Sequence, residues 1–270
     1  MKAAVIGYPV AHSKSPLIHE YWLKKYNITG SYEAIAAEPE NLNAVIHNLE
    51  QQGYNGFNVT VPHKEAVLEL CDHLDDTARS IGAVNTILIK DKKLHGMNTD
   101  AFGFIENLKS CQHDFDFNGV TAFVLGAGGA SKAVIYALIE EGVKKIYLSN
   151  RTIEKAEKLA QKFSPFVEVI SWHEKKNFLK HSNLLVNTTS LGMTGKPDLE
   201  IDIHTLPQTS LVTDIVYSPL MTDLLKNAQA QNLHIVTGIG MLLHQARPAF
   251  QAWSGILPDI DATLEAQVLA

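Results

Sequence analysis

At 270 residues, 46% of them hydrophobic, the chain can bury one large core or two ordinary ones, and two domains is the expectation. Its 23 basic and 29 acidic residues are interspersed and sum to a net charge of -6, which argues against a nucleic-acid or anionic-membrane surface and favours small dissolved ligands. Cys71 and Cys111 are the only cysteines, and with no secretory apolar segment after Met1-Lys2 they read as reduced thiols in a cytoplasmic protein.

In chain order, Ala3 to Ile6 predicts a buried first strand. The polar turn from Gly7 to Pro16 leads into a helix from Pro16 to about Tyr26, with Ser15 placed as an N-cap before a proline at the first helical position. Capping accounts for Ser15 but not for Ser13, and two hydroxyls beside a helix N-terminus can also hold a polyhydroxylated acid. A strand at Tyr32 to Ala36, a helix at Leu42 to Glu50 and a strand at Gly56 to Val59 continue the α/β alternation. Asn58 and Thr60 alternate at the carboxyl end of that last strand, so they share a face where open α/β sheets bind ligands. Pro62 predicts a helix opening that runs through Glu65, Val67 and Leu68 to Cys71 and puts Lys64 in its first turn, where the helix dipole helps a lysine to give up its proton. A hairpin, Ile87 to Lys90 and Leu94 to Gly96, turns at Asp91-Lys92. Asp100 then stands at the cap of a helix from Ala101 to about Cys111.

Val120 to Tyr136 reads as strand, tight turn, helix. Gly126, Ala127, Gly128, Gly129 and Ala130 form the turn: the first glycine permits a sharp bend, and the second lets a pyrophosphate approach the backbone at the positive end of the helix beginning near Ala130. Ser131 holds the third glycine position of G-x-G-x-x-G and is still small enough for close helix-strand packing. Strands at Lys145 to Ser149, Leu184 to Asn187, Leu211 to Asp214 and Leu233 to Val236 alternate with helices at Ile153 to Phe163, Thr222 to Gln231 and Met241 to Trp253, a doubly wound pattern, and a last helix spans Asp261 to Val268. After the second of these strands, where an NAD-binding fold puts a carboxylate for the ribose, stand Asn150, Arg151 and Thr152; an arginine there suits a 2′-phosphate. The twelve histidines show no H-x-x-x-H spacing, so no metal is expected. The most apolar late stretch, Ile235 to Leu243, is too short to span a bilayer.

Taken together and in order, Ser13-Lys14-Ser15-Pro16, Asn58 to Lys64, Gly82 to Thr86, Asn98-Thr99-Asp100, the glycine turn, Asn150-Arg151-Thr152, Asn187 to Ser190, Asp214 to Pro219 and Gly238 to Gln245 resemble the shikimate dehydrogenase family over nearly the whole chain. The resemblance implies NADPH-dependent reduction of 3-dehydroshikimate to shikimate, on the way to chorismate and the aromatic amino acids. It implies an N-terminal α/β substrate domain, residues 1–100 with returning C-terminal helices 241–270, and a Rossmann-type NADP(H)-binding domain, residues 101–240. Both domains would line the cleft between them. It places substrate at Ser13, Ser15, Thr60, Asn85, Asp100, Tyr217 and Gln245, and catalysis at Lys64 with Asp100. It places cofactor at Gly126 to Ala130, Asn150, Arg151, Thr152, Ile215 and Gly238, with Asn187 to Ser190 as a wall near the nicotinamide ribose. No nucleic acid, membrane or metal enters the expected set of partners, and the chain is expected as a monomer or homodimer.

Three alternatives share the layout. A quinate-preferring paralogue keeps the fold, although Arg151 argues against NAD preference. A non-catalytic NADP(H)-binding regulator has no need of a lysine and a carboxylate placed as Lys64 and Asp100 are. A two-domain dehydrogenase for a folate-like substrate has no need of the Ser13 and Ser15 loop.

Overall fold

The computed structural model describes Met1–Ala270, which divides into two compact units, Met1–Asp100 with Leu243–Ala270, and Ala101–Leu242. In chain order the first unit contains β1 (Lys2–Gly7), α1 (Ser15–Lys25), β2 (Ser31–Ala36), a short 3-10 turn at Pro39–Asn41, α2 (Leu42–Gln51), β3 (Gly56–Val59), a second 3-10 turn at Ala66–Leu70, β4 (His73–Leu74), α3 (Asp76–Ile81), β5 (Thr86–Lys90) and β6 (Lys93–Met97). These strands form one sheet in the order β2-β1-β3-β5-β6-β4, parallel at β2-β1-β3 and antiparallel at β3-β5-β6. The alternation of side chains along a strand divides β1 between two cores: Ala4 and Ile6 join Ile46, Leu49 and Phe57, while Ala3 and Val5 join Tyr32, Ala249 and Trp253. Burying a side chain such as Phe57 completely stabilises by about 1.5–3 kcal/mol. The β5-β6 turn holds Asp91 and Lys92 at φ 52° and 57°, the backbone sense that matches the twist of a two-residue hairpin.

The second unit opens in α4 (Asp100–Cys111) and continues through β7 (Thr121–Leu125), α5 (Gly129–Glu140), β8 (Lys145–Ser149), α6 (Ile153–Lys162), β9 (Val167–Val169), α7 (Lys175–Leu179), β10 (Leu184–Asn187), β11 (Leu211–Asp214), α8 (Asp223–Ala230) and β12 (His234–Val236). Its sheet is wholly parallel in the order β12-β11-β10-β7-β8-β9, the doubly wound arrangement, and the chain reverses direction across the sheet between β7 and β10. Ligands of such sheets lie outside the strand carboxyl ends at that switch point, where the glycine turn follows β7. Buried Phe123, Leu125, Leu185 and Val212 form the centre of its core. The chain passes back into the first unit within α9 (Ile239–Ser254), where Trp253 donates its indole N–H to the Ile87 carbonyl at 2.9 Å, and ends in α10 (Ala262–Leu269), whose Asp261 cap pairs with Lys25 at 2.6 Å and accepts from Tyr21.

Three local expectations are corrected. Lys64 lies in a turn, not in the first turn of an α-helix, and only Ala66–Leu70 coil, as a 3-10 helix. The Lys64 carbonyl accepts from the Val84 N–H at 2.8 Å while the Leu68 N–H turns to Glu65, so the hydrogen bond that an α-helix needs at this point is taken by a distant strand end. The helix-dipole argument for Lys64 falls with it. Ser15 is the first residue of α1 and caps nothing; its own N–H donates to the Ser13 hydroxyl at 3.2 Å. Asp100 likewise begins α4, and Asn98 Oδ1 accepts its N–H at 3.0 Å, which leaves the Asp100 carboxylate free of capping work.

Candidate active site

In the first unit a polar cluster gathers at the strand ends. Asn85 precedes β5, and its amide is oriented by the Thr99 N–H, which donates to Oδ1 at 2.8 Å. Its Nδ2 therefore faces carboxylate and carbonyl acceptors, donating to Asp100 Oδ1 at 2.8 Å and reaching Gln245 Oε1, on α9, at 3.4 Å. The other Asp100 oxygen takes Lys64 Nζ at 2.5 Å. With side-chain exposures of 23% for Lys64 and 10% for Asp100, the pair is screened far less than a surface ion pair, so both its attraction and its geometry are firmer. The lysine retains donors beyond the one Asp100 accepts, and beside a hydroxylated compound it can give a proton and take it back.

Ser13 and Ser15 stand together at the start of α1. Ser13 is half-buried and Ser15 is buried, and burial, partly opposed by Ser15, pushes the Tyr32 phenol well above the usual range. Tyr32 thus remains a protonated donor, to Asn58 Oδ1 at 2.6 Å. Thr60 is half-buried just past β3, its γ-methyl against Gly7, where an added Cβ could not fit. His19, one turn after Ser15, is stacked on Tyr32 with ring centroids 4.2 Å apart, and burial, partly opposed by Asn58, pushes its pKa down to about 3. Tyr32, Thr86 and Thr99 belong to this cluster and escape sequence reasoning, since each reads as an ordinary strand or loop residue.

In the second unit Gly126 adopts φ +103°, and a side chain there would also strike Thr188 and Thr189. Gly128 and Gly129 are exposed, and a Cβ at either would meet nothing within 4 Å, so the backbone amides at the start of the twelve-residue α5 open onto space. Ser131 is fully buried and donates to the Gly128 carbonyl at 2.6 Å, holding the turn where the third glycine of the motif is missing. Asn150 ties the glycine turn to the loop after β8: its Oδ1 accepts the Ala127 N–H at 3.1 Å and its Nδ2 donates to the Thr152 carbonyl at 2.7 Å. Arg151 and Thr152 between them are exposed. An open run of amides at a helix start with an exposed arginine on the adjoining loop fits a dinucleotide carrying an additional phosphate.

Gly238 packs on the backbone of Ile215 so closely that any side chain would collide with it, which brings those two predicted residues together. The loop carrying Ile215 and Tyr217 is anchored by buried Asp214, which accepts from Asn187, Thr222 and the Val216 N–H at 2.8–3.0 Å, and burial raises the Tyr217 phenol pKa. Asn187 is fully buried, bonding to Asp214, Leu191 and Thr189, so its side chain shapes the loop and presents nothing outward. No group of three His, Cys, Asp or Glu side chains is arranged to hold a metal, and no helix is long and apolar enough to cross a membrane.

Three family models match the chain: shikimate dehydrogenase substrate binding domain over residues 5–87, shikimate / quinate 5-dehydrogenase over 109–195, and shikimate 5'-dehydrogenase C-terminal domain over 238–266. A shikimate dehydrogenase (NADP(+)) of Paramagnetospirillum magneticum is 50% identical over 99% of this chain and 98% of its own length. Among solved structures, shikimate 5-dehydrogenase of Thermus thermophilus in complex with NADP(H) and shikimate superposes with a TM-score of 0.87 at 36% identity, covering 100% of this chain and 98% of that one. Quinate dehydrogenase of Corynebacterium glutamicum in complex with NAD superposes with a TM-score of 0.93 at 29% identity, covering 99% and 98%.

Proposed function

The chain belongs to the shikimate dehydrogenase family, and from that premise we propose how its residues share the work of an NADP-dependent shikimate dehydrogenase, the reversible reduction of 3-dehydroshikimate to shikimate. NADPH, when bound, supplies the hydride. Lys64 gives a proton to the ketone oxygen in the reducing direction and takes it back in the other, while Asp100 holds the lysine and a substrate hydroxyl. The observation that carries this assignment is the 2.5 Å contact of Lys64 Nζ with Asp100, whose second oxygen is held by Asn85. Asn85, Thr60 and Gln245 meet the hydroxyls of the ring, and Ser13, Ser15 and Tyr217 meet the carboxylate through neutral donors. Each such contact is weaker than an arginine fork, so affinity accumulates over many modest bonds. The Gly126 to Ala130 turn takes the pyrophosphate, Asn150, Arg151 and Thr152 the 2′-phosphate end, and Ile215 with Gly238 the nicotinamide side. On this reading the Met1–Asp100 unit with Leu243–Ala270 is the substrate domain and the Ala101–Leu242 unit the cofactor domain. The enzyme acts in the cytoplasm on small molecules, as a monomer or homodimer, and engages no nucleic acid.

The test is steady-state NADPH consumption with 3-dehydroshikimate, run beside NADH and beside 3-dehydroquinate. NADPH with 3-dehydroshikimate is expected to give the highest kcat/KM. In that assay Lys64→Ala should lower kcat by about 10² to 10⁴ with little change in shikimate KM. A Lys64→Ala enzyme with near-normal kcat at saturation removes Lys64 from the chemistry.

A further inference from the structure

The cluster contains more hydrogen bonds than the reaction uses, and they form a directed series. Ser15 lies beside the Tyr32 phenol, and Tyr32 donates to Asn58 Oδ1 at 2.6 Å. Asn58 Nδ2 donates to Thr86 Oγ1 at 3.0 Å, Thr86 donates to Asn85 Oδ1 at 3.0 Å, and Asn85 donates to Asp100 at 2.8 Å. Tyr32, Asn58, Thr86 and Asn85 are exposed by 2%, 6%, 0% and 2%, so water cannot substitute for a lost link. No charge lies along the series until Asp100, and His19, stacked against Tyr32, is held neutral by burial. β2, β3 and β5 carry Tyr32, Asn58 and Thr86 at fixed register, with β1 pairing between β2 and β3 and Asn58 facing Thr86 across the antiparallel pair.

We infer that Tyr32, Asn58 and Thr86 are positioning residues: their buried hydrogen-bond chain runs from beside Ser15, at the carboxylate end of the substrate, into the Asn85–Asp100–Lys64 group at its reacting end. Thr86 is the critical link. It accepts from Asn58 Nδ2, which also donates to the Asn85 carbonyl, and it donates to Asn85 Oδ1, which takes further donors from the Thr99 N–H at 2.8 Å and the Thr99 hydroxyl at 3.2 Å. Valine at this position keeps the volume of threonine and puts a methyl where Asn58 Nδ2–H and Asn85 Oδ1 both need a hydroxyl. Asn85 Oδ1 then has two orienting donors in place of three, both from Thr99, and the carboxylate that aligns Lys64 loses rigidity.

This inference rests on the assignment of Lys64 and Asp100 proposed above, and the experiment separates the two. Thr86→Val, Thr86→Ser, Tyr32→Phe and Lys64→Ala are compared for kcat, shikimate KM and NADP KM, with urea unfolding to verify that each folds. Thr86→Val should lower kcat about tenfold, Thr86→Ser should stay within about twofold of the parent, and NADP KM should not move in either, since no member of the chain belongs to the Ala101–Leu242 unit. Tyr32→Phe, which deletes a single oxygen, should raise shikimate KM about fivefold at constant NADP KM and decides the matter alone if Thr86→Val does not fold. Parental kcat in Thr86→Val, equal damage in Thr86→Ser, or unchanged shikimate KM in Tyr32→Phe overturns the inference. If Lys64→Ala is inactive while Thr86→Val and Tyr32→Phe behave as the parent, the chain is structural and the catalytic assignment stands; an active Lys64→Ala overturns the assignment and the inference together.

Discussion

On the proposed function, cofactor preference turns on Arg151. It follows β8 with no acid beside it, at the position where a carboxylate would hold the ribose of NAD and repel a 2′-phosphate. Arg151→Ala should therefore raise NADP KM and leave NAD KM nearly unchanged. A charge-assisted contact is worth about 1.5–3 kcal/mol, and because Arg151 is exposed the lower end applies, about a tenfold rise in KM. Steady-state titrations with both cofactors check it; an equal rise for the two makes Arg151 a structural residue. Arg151 could be located from sequence because its meaning depends only on its distance from a glycine turn. Lys64 and Asp100 could be located through the family resemblance, but not the reason for their geometry. The turn that holds Lys64 is fixed by Val84, twenty positions away, and the Asp100 N–H at the start of α4 is taken by the side-chain Oδ1 of Asn98. Neither effect leaves a trace in local propensity.

At the scale of elements, the long strands and helices follow directly from periodicity, because β1, β7 and β10 are apolar on both faces and α5 repeats its buried positions at helical spacing. β4, α3, β9 and α7, of two to six residues, were not legible. Segments so short have no period to read, and tertiary bonds hold them: Asp75 caps α3 by accepting the Ala78 N–H at 2.6 Å, and β4 exists through its pairing with β6. The start of α1 carries a prediction. A true N-cap serine costs about 0.5–2 kcal/mol when replaced by alanine, but Ser15 makes no capping bond and alanine is favoured inside a helix. Ser15→Ala should raise shikimate KM more than NADP KM while lowering stability by less than about 1 kcal/mol. Thermal unfolding beside kinetics tests both halves. A loss near 2 kcal/mol with unchanged shikimate KM would return Ser15 to a purely structural role.

For the whole molecule, the buried histidine beside the polar cluster ties stability to pH. His19 is fully enclosed by Tyr32, Trp22, Phe250 and Trp253, and burial pushes its pKa down to about 3 from about 6.5 in an unfolded chain. Between those values the unfolded chain binds a proton that the folded one refuses, so the stability His19 permits is complete above about pH 6.5 and declines as pH falls toward 3. At about 1.36 kcal/mol per unit, pH 5 should cost about 2 kcal/mol relative to pH 7.5. His244, pushed down to about 4 by burial and by Arg247, adds in the same sense. Burial raises the carboxyls of Asp75 and Asp214, which oppose this trend in the carboxylate range, so the measurement belongs between pH 5 and 7.5. Urea unfolding at those two pH values should show the loss in the parent and a flatter dependence in His19→Gln, which has nothing to protonate. Comparing slopes removes the cost of the substitution itself, because a cavity or a lost ring stack lowers stability equally at both pH values. Identical slopes in the two proteins would mean that the box around His19 opens to admit its proton without unfolding, and that the polar chain from Tyr32 to Asp100 lies against a far softer wall than its burial implies.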